Sequence, residues 1–350
     1  MIITAGKNQE KPRKVRNSPG AFKSLLYVEI YAMNITEFMI ALAKQLQEDR
    51  KIAESTATQY LQTLYKLNGS KSFTNLAWTK KYETVQAIID SYADSTKGNQ
   101  YMVLSSALST TNAKTGYKAV IEHWKGKMLD ARKDRDALPI HEKSEKQEKN
   151  WLSWAEINQK KTQLQKEILP LSSAKRITQS QFDILQQYLV LSLFTDIPPR
   201  RNQDYLEMYV IKKLPKMYDT DKNYYDMATH RFIFNKYKTA KTYKEQVENV
   251  PVELQQSISL YLKFHPLNKG KINEFKLLVK YDGSPLNTVN SITRILNKVF
   301  DGKKVGTSML RHIFLSEKYG KEMKELDETR KTDAEAMGHS VSQATEYIKY

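Results

Sequence analysis

Four short stretches in the second half of this 350-residue chain carry side chains whose types suit chemistry on a phosphate group. The first is Pro198-Pro199-Arg200-Arg201-Asn202-Gln203-Asp204, two adjacent arginines with an acid three positions after the second. Next comes Lys238, at the end of a strand-like run and facing a polar turn. The third is Ser308-Met309-Leu310-Arg311-His312, and the fourth is Met337-Gly338-His339-Ser340, with Tyr347 eight residues beyond His339. Arginine is permanently charged and forks onto phosphate oxygens, lysine and histidine can deliver or accept a proton, and tyrosine carries a hydroxyl that can attack.

Composition narrows the field. The chain has 56 Lys and Arg against 39 Asp and Glu, a net charge of +17. So strong a basic balance points to a polyanionic partner, nucleic acid first, because Lys and Arg neutralise phosphates and release counterions. An anionic membrane surface fits less well, since no stretch is both strongly basic and strongly apolar. With no cysteine there is no disulfide framework, Cys-based zinc site, iron–sulfur cluster or thiol nucleophile. His123 and His230 lack paired ligands and read as neither half of a metal site. No apolar run reaches about 18 residues, and residues 1–20 lack the apolar core of a secretion signal, so a soluble intracellular protein is expected. Neither GxxxxGK[ST] nor GxGxxG occurs.

The elements that must position these residues divide the chain. Residues 1–23 read as a basic flexible arm. Residues 24–130 read as an all-helical domain: Ile35, Phe38, Met39, Leu42 and Leu46 share a helix face behind Asn34 or Thr36 as cap. Ser55 opens a second helix that stops at Asn68-Gly69, and further helices cover about 78–92, 100–108 and 115–132. Residues 131–150 are highly charged, a linker composition. In 151–350 a helix with Phe182, Leu185, Leu189 and Leu193 ends before Pro198-Pro199. Strands are expected at 206–211, 231–238 and 246–252, and helices at about 252–264, 288–299, 307–319, 326–337 and 341–348. The fold class is therefore mostly α with a small antiparallel β-sheet. Trp151 and Trp154 are read as packing where the linker meets the second domain.

With those four stretches in this order, the chain resembles the tyrosine recombinase (phage-integrase) family, and most of all the integrase-like proteins of large DNA viruses, virophages and related mobile elements. The likeness spans about 24–130 as the core-binding domain and 151–350 as the catalytic domain. It implies that Tyr347 attacks a phosphodiester and leaves a 3′-phosphotyrosyl link and a free 5′-hydroxyl. Arg201 and Arg311 would hold the non-bridging oxygens, His339 would bond the phosphate or relay a proton, and Lys238 would protonate the leaving 5′-oxygen. Asp204 would orient Arg201. Arg200 and Lys241 are the alternatives to Arg201 and Lys238. The resemblance further implies duplex DNA gripped between the two domains, a tetramer on synapsed DNA, no cofactor, metal or ATP, and no membrane. The site of action would be the nucleus, a cytoplasmic viral factory or the virion.

Two departures stand out. Ser308 occupies the position of the family's first histidine; it can donate one hydrogen bond but is no base near neutral pH. The gap from His339 to Tyr347 is one residue shorter than the commoner spacing, a turn of about 100° on a helix, which makes Tyr350 the fallback nucleophile. Few residues follow Tyr347, so a conventional exchanged C-terminal helix is not expected. Two rivals remain open: a type IB topoisomerase, which would relax supercoils without recombining, and a sequence-specific DNA-binding protein with a decayed site.

Overall fold

A computed structural model of the chain describes residues 34–110, 114–136, 142–270, 272–286 and 288–349. The expected basic arm and Tyr350 lie outside them. The protein is mostly helical with one mixed five-stranded sheet, and it divides into two compact units, Met1–Glu142 and Lys143–Tyr350.

In the first unit, Thr36 caps α1 (Glu37–Arg50), its hydroxyl accepting from the Met39 amide at 3.2 Å. α2 (Glu54–Leu67) starts after Ala53 with no side-chain cap; Ser55, expected to cap it, lies inside its first turn. Asn68 ends it, and Gly69 takes the left-handed φ of +66° that a side chain resists. A 3₁₀ turn (Ala77–Lys80), α3 (Tyr82–Asp90), α4 (Asp94–Leu108) and α5 (Lys118–Asp136) follow. The core is the apolar faces of these helices around a fully buried Trp124, whose indole N–H donates to the Thr79 carbonyl at 3.2 Å. That bond satisfies the one polar atom of a large side chain that otherwise gives only apolar area.

The second unit begins earlier than residue 151. The expected linker, 131–150, starts in the last turns of α5 and ends in a short helix, α6 (Glu145–Asn150). Ser144 and Gln147 form a capping box on α6. The same device, Ser153 with Glu156, starts α7 (Trp154–Ile168), a helix the periodicity did not reveal. Trp154 packs edge-on against Phe314, ring centroids 5.6 Å apart. α8 (Gln179–Leu193) is the central helix. Phe182, Leu185, Leu189 and Leu193 are buried together with Val190 and Leu191, so it is apolar on more than one face, and α7, α11 (Val252–Lys263) and α12 (Val289–Val299) pack on it.

The sheet runs β4-β3-β2-β1-β5. Its strands are β1 (Met208–Ile211), β2 (Asn223–Asp226), β3 (Arg231–Phe234), β4 (Gln246–Asn249) and β5 (Glu274–Lys276), with a one-turn helix, α10 (Ala240–Tyr243), between β3 and β4. β1 and β2 are parallel, which corrects the antiparallel expectation; the remaining pairs are antiparallel. β2 and β5 were not foreseen. All four residues of β2 are buried, so no alternation marked it, and β5 is only three residues long. Residues 206 and 207, expected in a strand, instead close α9 (Asn202–Leu206). His265 is buried behind the sheet. Its Nδ1 accepts from the Leu267 amide and its Nε2 faces the Leu277 carbonyl, and burial lowers its pKa to about 4, which keeps it neutral.

The largest departure is α13 (Thr307–Ala336). Two helices were expected, at 307–319 and 326–337; one unbroken helix of 30 residues spans both. Residues 320–325 hold no core apolar signal, yet Lys, Glu and Met are good helix formers, and Gly320 alone does not break the helix. α14 (Val341–Tyr347) closes the described chain. No helix among the described residues is long and apolar enough to cross a membrane.

Candidate active site

The Pro198-to-Asp204 stretch is pinned by packing before any chemistry begins. α8 ends at Leu193, and the Tyr205 ring is wholly buried with its hydroxyl donating to the Leu193 carbonyl at 3.1 Å. Asn202 donates to the Val289 carbonyl and to the Thr293 hydroxyl, each at 2.9 Å, which ties α9 to α12. Asn223 is buried at the start of β2. Its amide donates to the carbonyls of Asp204 and Lys236, and its oxygen accepts from the amides of Asn235 and Lys236. One side chain thus uses its full hydrogen-bonding capacity to hold α9, β2 and the segment after β3 together.

The two adjacent arginines have different tasks. Arg200, not Arg201, pairs with Asp204: its Nε lies 3.1 Å from Oδ2, and its Nη1 lies 2.9 Å from Oε1 of Glu248. The guanidinium also lies 3.7 Å over the Phe234 ring centre and 5.2 Å from that of Tyr237. This corrects the expectation that Asp204 orients Arg201. The acid sits four residues from Arg200, the spacing at which side chains meet on a helical turn. Burial raises the Asp204 pKa and outweighs the opposing pull of Arg200. Glu248, Asn223 and Asn202 are the supporting residues that the sequence did not disclose.

Arg201 caps α9 and is half-exposed, and no ion pair or side-chain hydrogen bond engages it among the described residues. Arg311 stands one turn into α13, its Nε at 3.4 Å from the Thr307 carbonyl, with no acid among the described residues paired to it. Both arginines line one open cleft of about 320 Å³, together with Pro198, Tyr237, Tyr243 and Glu248. Burial first, and the positive charge of Arg201 second, pull the Arg311 pKa down from its usual value. Two guanidiniums close enough to repel, with Asp204 largely committed to Arg200, leave positive charge facing the cleft, which suits an anion by its chemistry.

The other expected residues are not gathered there. Lys238 and Lys241 are exposed and do not line the cleft, whereas Tyr237, Thr239 and Tyr243 do. Ser308 is exposed in the first turn of α13, three residues before Arg311. His339 and Tyr347 stand at the opposite end of α13. Met337 caps that helix, and Gly338 at φ +69° completes a left-handed stop with His339 N–H bonded to Ala334 O and Gly338 N–H to Glu335 O. Ser340 then caps α14, accepting from the Gln343 amide at 3.2 Å. The Met-Gly-His-Ser turn is thereby explained as a helix stop followed at once by a helix start. It leaves the imidazole half-exposed, its ring centre 5.6 Å from that of Tyr347.

α14 turns back along α13, where an Arg330 guanidinium N–H donates to the Thr345 hydroxyl. At about 1.5 Å per residue, the axial distance from Arg311 is roughly 28 Å to Arg330 and roughly 35 Å to Ala334. Within one chain, Tyr347 and His339 therefore do not reach the arginine cleft in this conformation. No group of acids and histidines among the described residues is placed to hold a metal ion.

Comparison with models of known families, with curated proteins and with solved structures returns no match.

Proposed function

We propose that this protein is a DNA strand transferase of the tyrosine recombinase type, acting to integrate or excise a mobile or viral DNA. The observation that carries the reading is the pair of arginines, Arg201 and Arg311, which share one cleft without carboxylates of their own. Such a pair fits the two non-bridging oxygens of a phosphodiester and the extra charge that develops as the phosphorus becomes pentacoordinate. In the step proposed, the Tyr347 hydroxyl oxygen attacks phosphorus, the bond to the 5′-oxygen breaks, and the 5′-hydroxyl leaves with a proton. Exposed Tyr347, with the His339 ring beside it, supplies the nucleophile and a group to take its proton. The exposed lysines of the 236–244 hairpin, Lys238 or Lys241, are the source of the leaving group's proton.

The distance along α13 requires that the two halves of the site be brought together for reaction. It also favours one second reading, a sequence-specific DNA-binding protein that does not cut. A nicked suicide duplex separates the two. The first reading expects a covalent protein–DNA adduct on a denaturing gel, absent in Tyr347→Phe and in Arg311→Ala. An adduct that persists in Tyr347→Phe moves the nucleophile elsewhere, Tyr350 first. DNA binding without any adduct from the wild-type protein supports the second reading.

A further inference from the structure

Tyr243 is the last residue of α10, and its ring is 64 % exposed. It lines the cleft that Arg201 and Arg311 share, and no side-chain hydrogen bond or ring contact engages it among the described residues. Its neighbour in that wall, Tyr237, is committed. The Tyr237 hydroxyl donates to the Lys244 carbonyl at 2.6 Å, and its ring centre lies 5.2 Å from the Arg200 guanidinium. The backbone just after Tyr243 is held in a conformation that side chains resist. Lys244 has φ +59° and ψ −156°, a region that is nearly glycine's alone. Two hydrogen bonds keep it there: its amide donates to the Ala240 carbonyl at 2.9 Å, and its carbonyl accepts from Tyr237. Strain of this kind persists only where the surroundings impose it, and it gathers at sites that clamp ligands. Here it lies in the turn that sets Tyr243 against the cleft.

We propose that the Tyr243 ring is a stacking platform for one nucleobase, the base next to the phosphodiester held by Arg201 and Arg311; the proposal rests on the functional reading above. Two guanidiniums account for a phosphate, but not for an exposed ring beside them. A planar aromatic side chain next to a phosphate site suits a base, because every base has a π-face and stacking on it needs no particular sequence. In an intact duplex both faces of a base are covered by its neighbours. The platform therefore takes a base that has left the stack. It selects DNA where leaving costs least: beside a nick, at a mismatch, or at a pyrimidine–purine step. The arginines alone would hold a phosphate anywhere along a strand, and Tyr243 narrows that choice to loosened sites.

The test uses the full chain and two duplexes that differ at one unpaired position, which carries a base in one and an abasic sugar in the other. The wild-type protein should prefer the base-bearing duplex by about tenfold, the contribution of one stacked base. Tyr243→Phe should keep that preference and Tyr243→Ala should lose it. The salt dependence of binding should stay as in wild type in both variants, since neither removes a phosphate contact. Equal binding of the two duplexes by the wild-type protein overturns the proposal, and so does a preference that survives in Tyr243→Ala. A preference that depends on Tyr243, with no covalent adduct from the nicked suicide duplex, would leave the platform standing and remove strand transfer. An adduct from a wild-type protein that shows no base preference would do the reverse, so the two fail separately.

Discussion

Arg200 and Arg201 are neighbours with opposite circumstances. Arg200 is clasped by Asp204 and Glu248 and lies 3.7 Å over the Phe234 ring centre, so its charge is matched within the fold although it too lines the cleft. Arg201 has no such partners and faces the cleft that Arg311 shares. Removing the two should therefore have different consequences. Arg200→Ala strands a largely buried carboxylate and should cost about 3–5 kcal/mol of stability, measured by chemical denaturation. Arg201→Ala should leave stability within about 0.5 kcal/mol and instead weaken binding to duplex DNA. If the reverse is found, the assignment of the two arginines is wrong. The residue types and the order of the four stretches were legible in the sequence, because arginine, histidine and tyrosine are conspicuous. Which of two adjacent arginines is engaged was not legible, since that depends on a glutamate 48 residues from Arg200 on β4 and an aromatic ring on β3.

At the scale of elements, helices with a clear apolar face and a cap were readable: α1 with Thr36, α8 with its four core residues, α11 and α12 to within a residue or so. Elements without that signal were not. β2 is buried on both sides, α7 is marked only by the capping box of Ser153 and Glu156, and α13 continues through a stretch that shows no core face. The Met-Gly-His-Ser turn is legible twice over, since the residues that suggested chemistry are also those that stop one helix and start the next. Its conformation makes Gly338 the sensitive position. Gly338→Ala forces a side chain into the left-handed region and should destabilise the junction by about 1–2 kcal/mol, though no heavy atom lies within 4 Å of the new Cβ. The loss should appear as faster amide exchange at residues 338–347 with little change in the core of α8. A uniform loss across the unit would refute this account of the turn.

For the whole molecule, the charge of +17 is the property that most limits its behaviour. If the arginine cleft and the basic surface hold a duplex, the logarithm of the binding constant should fall linearly with that of salt concentration. Each phosphate contact contributes a slope of about −0.9. Arg201→Ala and Arg311→Ala should each lower that slope by about one unit, whatever the DNA sequence. Affinity that does not vary with salt would argue against a phosphate-bound partner. Charge and composition are the sequence features from which such a partner is expected. The separation between the arginines and the tyrosine was hidden, because it comes from the continuity of one helix and not from any residue's identity.

That continuity makes α13 a ruler. One residue added between Ser316 and Glu328 would lengthen it by about 1.5 Å and turn its tip by about 100°, carrying His339 and Tyr347 to another side. Seven added together would lengthen it by about 10 Å and return the tip to within about 20° of its first bearing. The reach of this arm and the direction in which it presents its tyrosine are therefore set by a count of residues, and only insertions close to a whole number of turns, about 7, 11 or 18 residues, preserve its heading.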